Sequence, residues 1–570
     1  MRDLKELTGY DIITEEKIPE VNGTGYILSH KKTKARVLVI ANDDENKVFN
    51  IGFRTPPYDD SGIPHILEHS VLCGSRKYPV KDPFVELAKG SLNTFLNAMT
   101  YSDKTVYPVA SCNEKDFENL MDVYLDAVFY PNIYEHTEIM RQEGWHYELE
   151  TVEGELIYNG VVFNEMKGAF SSPEQQMYSK IEKLLLADTP YKNESGGDPA
   201  AIPTLSQERF LDFHRKYYHP SNSYIYLYGD LDMYKELDYI DKEYLSSFDY
   251  REIDSAIAVQ TAYEQMKDES CFYSIAENES EENQTFLTYN MVVGSSLDKK
   301  QSVAMNILEY AIMDAPGAPL KKALVDAGIG EDVFASFDDG IRQTIFSIVA
   351  RNANMSDKER FVSVIRDTLT DLSGHGEEGR AIDRTSIEAA INNFEFKHKE
   401  ANFGRFPKGL MMGLDAFNTW LYDDASALEM FKLNEVYDEL KESLKTGYFE
   451  ELIWEKLVQN TFGMIFVMKP KKGLDKENDA AEKQKLADYK ASLTENELEQ
   501  VVSDTKELKL YQETPSPAED MEKVPLLNIS DIRKEIHPLK NREDSIYGMP
   551  LICHDIFTNG IGYLEFIFDI

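Results

Sequence analysis

Residues 61–79 read "SGIPHILEHSVLCGSRKYP", and this stretch decides how the rest of the chain is understood. It sets His65 and His69 four apart, with Glu68 against the second, in an otherwise apolar run. A helix with 3.6 residues per turn carries positions i and i+4 on one face, so both imidazoles can reach one ion. The chain has 11 histidines, and a chance i,i+4 pair among them is no rarity. A glutamate at the inner position of an apolar helix, behind Gly62 and Pro64, is far rarer.

The order H-x-x-E-H is the inverted zinc-peptidase arrangement, with the glutamate before the second histidine. Catalytic zinc takes three protein ligands and keeps one position open for water. The helix supplies two, so the third must come from elsewhere. The acidic residues of "MRQEGWHYELE" (140–150) and "NGVVFNEMKGAF" (159–170) are the candidates, and spacing leaves Glu143, Glu148 and Glu165 open.

At 570 residues the chain is too long for one core. Its 42% apolar content, with 33 Tyr and 29 Phe, supports several packed layers and excludes a disordered protein. Cys73, Cys112, Cys271 and Cys553 are scattered and form no C-x-x-C pair, which argues against a disulfide framework or a thiolate zinc site. The formal charge of −41 counts against nucleic acid as a partner, because phosphate binding needs a basic footprint. It suits an acidic cavity that attracts basic peptides. No apolar run reaches the roughly 18–20 residues that span a bilayer, so no membrane partner is expected. The start, "MRDLKELTGYDIITEEK", shows neither signal nor transit character, and a cytoplasmic location is expected. Nucleotide-binding glycine motifs of the P-loop or dinucleotide type are missing.

Along the chain, "ARVLVIAN" (35–42) and "KVFNIGFRT" (47–55) read as strands, followed by helical material to about residue 90. Residues 91–111 read as two strands about a Ser-Asp-Lys turn. Phe117, Leu120, Met121, Tyr124, Leu125, Val128 and Phe129 line one face of a helix stopped by Pro131. "SYIYLYGD" (223–230) alternates as a strand, with Tyr224, Tyr226 and Tyr228 on one face. A second series follows: strand 284–294, helix 299–315, strand 344–352, helix 357–373 and strand 463–470. The recurrence suggests a duplicated fold, yet "SVAMNILEYAI" has no histidine where the first copy has its pair. From 471 the sequence turns Lys-, Glu- and Ala-rich and reads as a helical hairpin broken near 492–494. "ETPSPAEDMEKVP" reads as a loop, and "LICHDIFTNGIGYLEFIFDI" as renewed strand.

Four segments taken together, "HILEHSVLCGSRKYPVKDPFVELAKGSLNTFLNAMTYSDKTVYPVAS", "QEGWHYELE", "GVVFNEMKGAF" and "SGGDPAAIPTLSQERFLDFHRKYYHPSN", resemble the M16 metallopeptidases. The likeness is to the presequence-protease branch, subfamily C, which stands beside insulin-degrading enzyme and pitrilysin. It implies an α+β chain of two homologous α/β domains, each a sheet flanked by helices. The implied division is a zinc-binding domain over 1–260, a second domain without metal over 261–470, a hairpin linker over 471–530 and the start of a third domain over 531–570. The resemblance further implies that Glu165, 96 residues beyond His69, completes a site for one Zn2+ per chain with His65 and His69. Glu68 maps onto the general base, which takes a proton from water and passes it to the leaving amine.

Residues 91–111 match the edge strand to which the family adds an extended peptide. Asn97 and Ala98 are then substrate-binding candidates, and Phe53 and Phe95 candidates for an apolar pocket, with core packing expected for at least one phenylalanine. His219, beside Pro220, and the buried Cys73 are expected to be structural. The resemblance implies unfolded peptides as substrates and a chamber closed by a second half, which supplies an Arg and a Tyr. This chain would then be an N-terminal fragment, with its own missing half as partner and weak activity alone. A non-catalytic peptide- or partner-binding scaffold of the same family is the alternative, disfavoured because His65, Glu68, His69 and Glu165 are all present.

Overall fold

The computed structural model describes residues 2–377, 379, 381–536 and 538–568. Apolar and alternating runs in the first part form β1 (Tyr10–Ile18), β2 (Gly23–His30), β3 (Arg36–Ala41), β4 (Lys47–Arg54), β5 (Asn93–Leu96), β6 (Met99–Thr100), β7 (Lys104–Ser111), β8 (His146–Glu148), β9 (Ile157–Asn159) and β10 (Ser223–Gly229). One sheet takes the order β1-β2-β3-β10-β4-β7-β5, with β6 also on β7, while β8 and β9 form a separate ribbon. Only the β3–β10 pair in this sheet is parallel. The central strands β4, β7 and β10 are buried almost throughout, as expected of strands covered on both faces. The edge strand β1 alternates between buried and open positions instead.

Helices α1 (Ile63–Val71) and α2 (Pro83–Gly90) follow β4. Then come α3 (Glu114–Phe129), α4 (Thr137–Glu143), α5 (Val161–Ala169), α6 (Pro173–Leu185), α7 (Gln207–Tyr217) and α8 (Met233–Glu243). The apolar face read for α3 packs as expected: Phe117, Leu120, Tyr124 and Val128 join Val39, Phe49, Ile51 and Leu227 in one core.

A second sheet follows the same plan. Its strands are β11 (Lys267–Ile275), β12 (Thr285–Ser295), β13 (Asp332–Asp338), β14 (Gln343–Ala353) and β15 (Gly463–Lys472), in the order β11-β15-β12-β14-β13. β11 and β15 are parallel and the rest antiparallel. This repeats the run β3-β10-β4-β7-β5 pair for pair, so the duplication suspected from the sequence is a duplication of topology. The helices here are α9 (Lys299–Glu309), α10 (Pro319–Asp326), α11 (Lys358–Leu372), α12 (Arg384–Glu400), α13 (Lys408–Trp420), α14 (Asn434–Ser443) and α15 (Tyr448–Ile453). α9 follows β12 as α1 follows β4, and it carries no histidine.

The two sheets do not pack independently. α13 crosses onto the first sheet, where Phe417 and Trp420 cover the row Tyr224, Tyr226 and Tyr228. The approach is close: a Cβ at Gly409 would stand 2.1 Å from the Tyr228 ring, and one at Gly413 2.3 Å from the Tyr226 ring. Tyr226 Oη donates to the Gly409 carbonyl at 2.9 Å. The turn before β7 also meets the second sheet. Lys104 Nζ donates to the Gly340 carbonyl at 2.8 Å, and the Tyr191 and Tyr422 hydroxyls donate to Asp103 at 2.6 and 2.5 Å.

Helices α16 (Leu474–Ser492) and α17 (Glu495–Glu513) form the expected hairpin, and Thr494 and Glu497 cap α17 reciprocally. The segment read as a loop contains a short helix, α18 (Ala518–Met521). The final stretch departs further from expectation. β16 (Asn541–Ile546) and β17 (Met549–His554) make a two-stranded ribbon, but residues 555–568 form no strand, and 569–570 lie outside the described residues. Leu564, Phe566 and Phe568 stand 77–88% exposed, with no strand among the described residues paired to their backbone.

The seam between the sheets is acidic. Ser102 Oγ donates to Glu182 Oε2 at 3.2 Å, and burial, then the charge of Asp338, pushes the Glu182 carboxyl up to about 8. A carboxyl raised in the folded state favours folding below its unfolded value near 4.5 and loses that contribution as pH rises to about 8. Glu182→Gln should therefore flatten the fall in unfolding midpoint between pH 5 and pH 8, read by thermal unfolding across that range.

Candidate metal centre

α1 has nine residues, too short to hold itself together in water, and it is stabilised by burying Ile63, Ile66, Leu67 and Val71. Gly62 stands before it with φ +70, and a Cβ there would lie 2.8 Å from the Gly196 carbonyl oxygen. Only glycine permits that approach at that conformation. It matters because the same carbonyl accepts from His65 Nδ1 at 3.1 Å. The bond puts the proton on Nδ1 and leaves the Nε2 lone pair facing outward.

His69 is held in the same way by a different partner. Its Nδ1 donates to Glu143 Oε2 at 3.2 Å, while Gln142 Nε2 donates to Glu143 Oε1 at 2.7 Å. Cys73 Sγ also reaches Glu143 Oε1, at 3.6 Å. Burial pushes the Cys73 thiol well up, so it stays protonated and acts as a weak donor. Burial alone would lower the His69 pKa, but the Glu143 bond and the charges of Glu68, Glu143 and Glu165 raise it.

The third group arrives from α5. Gly160, before that helix, packs so tightly on the end of α4 that a Cβ would fall 2.2 Å from the Gly144 oxygen. Glu165, one turn into α5, sends Oε2 to 3.8 Å from His65 Nε2 and 3.7 Å from His69 Nε2. These separations are too long for hydrogen bonds, but donors around one tetrahedral zinc stand about 3.3 Å apart. Among the described residues, His65, His69 and Glu165 are the group whose ligand atoms all lie within 4.8 Å of one another. Two neutral imidazoles and a carboxylate, 53% exposed and open to solvent, fit a dication that keeps a free position.

Of the three acids that spacing left open, Glu143 serves the far nitrogen of His69 and Glu148 is turned to Lys509 at 3.0 Å. Glu68 lies beside the centre, 9% exposed, and its Oε2 accepts from Thr100 Oγ1 at 2.7 Å. Thr100 belongs to β6, which with β5 pairs on β7 alone, so an open sheet edge leads to Glu68. Asn97 is exposed between these two strands, and Ala98 beside it is 8% exposed.

The phenylalanines divide. Phe53 has no exposure; it stacks on Tyr218 at 4.8 Å and meets Phe129 edge-on, so it is a core residue and offers no pocket wall. Phe95 packs with the cluster under α13, against Phe406 at 6.1 Å, away from the α1 core. His219 donates nothing to the centre; its Nδ1 accepts from Ser221 N at 3.1 Å. His214 is buried between Tyr134 Oη and the Val128 carbonyl, and burial lowers it to about 3. Sequence reasoning missed Gly196 and Thr100 as partners, since nothing local marks a backbone carbonyl 131 residues away as a histidine's acceptor.

Three family descriptions match in succession. They are "Insulinase (Peptidase family M16)" over residues 48–179, "Peptidase M16 inactive domain" over 204–394 and the region associated with subfamily C of the M16 peptidases over 468–570. The chain belongs to peptidase family M16, and its histidine pair lies within the first of the three matched regions. It is 48% identical to "Protein HypA" of Clostridium perfringens, over 99% of this chain and 57% of that protein. It is 41% identical to "Presequence protease 1, chloroplastic/mitochondrial" of Arabidopsis thaliana, over 100% of this chain and 53% of that one. The chain thus spans little more than half the length of the relatives it matches. In fold it resembles a protease from Helicobacter pylori (TM-score 0.58, 16% identity, 79% of this chain and 100% of that one) and pitrilysin (TM-score 0.55, 18% identity, 82% and 47%). No helix among the described residues is long and apolar enough to cross a membrane.

Phe53→Ala should cost about 3–5 kcal/mol of unfolding free energy, as for a large aromatic lost from a packed core. Urea denaturation reads this directly.

Proposed function

We propose that the chain is the metal-bearing part of a zinc-dependent endopeptidase that hydrolyses unfolded, presequence-like oligopeptides. The observation that carries this reading is the convergence of His65 Nε2, His69 Nε2 and Glu165 Oε2 on one point, with Glu68 the neighbour of His69. Zinc bound by such a set supplies a Lewis acid and brings the pKa of a water near 7. Two neutral imidazoles and one carboxylate leave a dication with net positive charge, suited to an oxyanion.

The protein's own groups do the rest. Thr100 occupies Glu68 Oε2, which leaves Oε1 to accept the proton of the attacking water and to return it to the leaving amine. Gly196 and Glu143 keep both Nδ1 protons in place, so neither ring can turn its lone pair away. The open β5–β6 edge would take an extended peptide by main-chain bonds and lay its carbonyl beside Glu68, with Asn97 reaching the peptide backbone. Strand addition requires an unfolded substrate, and the excess of acid favours a basic one.

The relatives' greater length supports a further part of the reading: a second polypeptide half closes the site and supplies additional donors. Supplying the second half of the Clostridium perfringens relative should raise cleavage of an unstructured basic peptide by about 10²–10³, the worth of transition-state donors. Equal turnover with and without it counts against this part. Glu68→Gln should keep one zinc per chain by elemental analysis yet lose cleavage, whereas His65→Ala should lose the zinc. A Glu68→Gln protein that cleaves at the parent rate rules the peptidase reading out.

A further inference from the structure

The hairpin α16–α17 lies more than 300 residues from the metal ligands in sequence, yet it rests on the segment that joins one ligand, Glu165, to the support of another, Glu143. Glu143 ends α4, Glu165 sits in α5, and the β8–β9 ribbon connects the two helices. Tyr489 of α16 stacks on Tyr147 of β8 at 4.9 Å and 21°. Tyr147 stacks on Tyr158 of β9 at 5.5 Å and 28°, and Tyr158 meets Phe163 of α5 edge-on at 5.8 Å. Phe163 is two residues from Glu165. Trp145, two residues past Glu143, wedges edge-on against both Tyr147 and Tyr158.

Polar ties run alongside this aromatic row. Thr505 Oγ1 accepts from the Leu149 amide at 3.0 Å, and Arg141 Nη2 donates to the Asp504 carbonyl at 2.9 Å. Lys167, two residues past Glu165, reaches Glu482 at 3.0 Å. The hairpin therefore grips both helices that complete the centre, close to the residues that matter. Metal affinity depends on such supports, because a donor free to swing binds more weakly than one held in place.

We propose that the hairpin is a positioning device for the metal centre, with Tyr489 the positioning residue that holds Glu165 and Glu143 in place through the Tyr147–Tyr158–Phe163 row. This rests on the zinc reading above. Any partner or peptide that shifts the hairpin would then change metal affinity and activity together, although it touches neither histidine.

Zinc affinity of the full 570-residue chain, measured by competition with a chromophoric chelator and no substrate present, tests the assignment. Tyr489 is 40% exposed, so its truncation leaves the core intact. Tyr489→Ala should weaken zinc binding about 2- to 10-fold, the worth of one aromatic pair. Tyr489→Phe, which keeps the ring, should restore the parent affinity. Leu510→Ala, on the exposed side of α17 at 66% exposure, should bind as the parent does. Parent-like affinity for Tyr489→Ala overturns the positioning role and leaves the zinc reading standing. So does equal weakening by all three variants, which would mark general loosening of the hairpin. A parent chain that binds no zinc overturns both.

Discussion

Two rings on one helical turn can be aimed at a common point only if something fixes their far nitrogens. In this protein the fixing groups are a backbone carbonyl at Gly196 and a buried carboxylate at Glu143, one for each ring. Everything else about the centre follows from those two bonds. With both protons held on Nδ1, both lone pairs face the same gap, and the gap is the right size for a carboxylate oxygen and an ion together. The supports are themselves long-range. Gly196 reaches His65 because Gly62 has no side chain to keep it away, and Glu143 is held by Gln142 and the half-buried Cys73 thiol. A short helix that is unstable alone becomes a rigid platform because its apolar face is locked into the core of the first sheet.

One five-strand plan occurs twice in the chain, and the two sheets that share it differ in what they carry. The first carries the centre on the helix after its β4 strand. In the second, the equivalent helix α9 spends its polar residues on structure: Gln301 donates to the Val293 carbonyl at 2.9 Å. What the second copy contributes instead is cover. Its α13 closes the tyrosine face of the first sheet, Tyr422 after α13 donates to Asp103, and its β13–β14 turn accepts from Lys104 at Gly340 and donates from the Arg342 amide to Tyr191 Oη. The halves are therefore mechanically joined, and the β5–β6 edge that points at Glu68 belongs to a sheet braced on both faces. An edge strand braced this way has its register fixed by the strand it already pairs with.

The acid excess of the whole chain is managed differently in its two interior places. At the centre, the carboxylates are answered one by one: Glu143 by an imidazole N–H and an amide, Glu68 by a hydroxyl. At the seam between the sheets, Glu182 is answered mainly by keeping its proton. The first arrangement holds charge ready for a cation, and the second removes charge so that two surfaces can meet.

The residue pattern by itself determined the chemistry-bearing helix, since i,i+4 histidines with an inner glutamate on an apolar face are a local fact of helical geometry. The periodic runs at 114–129 and 223–229 likewise declared their form, because their burial pattern is written in consecutive residues. The hairpin break at 492–494 was readable for the same reason. What the sequence left open was the choice among Glu143, Glu148 and Glu165 on spacing alone. All three are acids in short helices or strands, and only the folded path shows that α5 swings Glu165 to the rings while β8 turns Glu148 to Lys509. Phe53 was ambiguous for a related reason: a buried and a pocket phenylalanine look alike until both sheet faces are covered. Residues 555–568 read as a strand and form none, since β-structure is a property of pairs and no partner strand among the described residues stands beside them. Local periodicity is decided by neighbours in sequence, whereas convergence, cover and pairing are decided by neighbours in space.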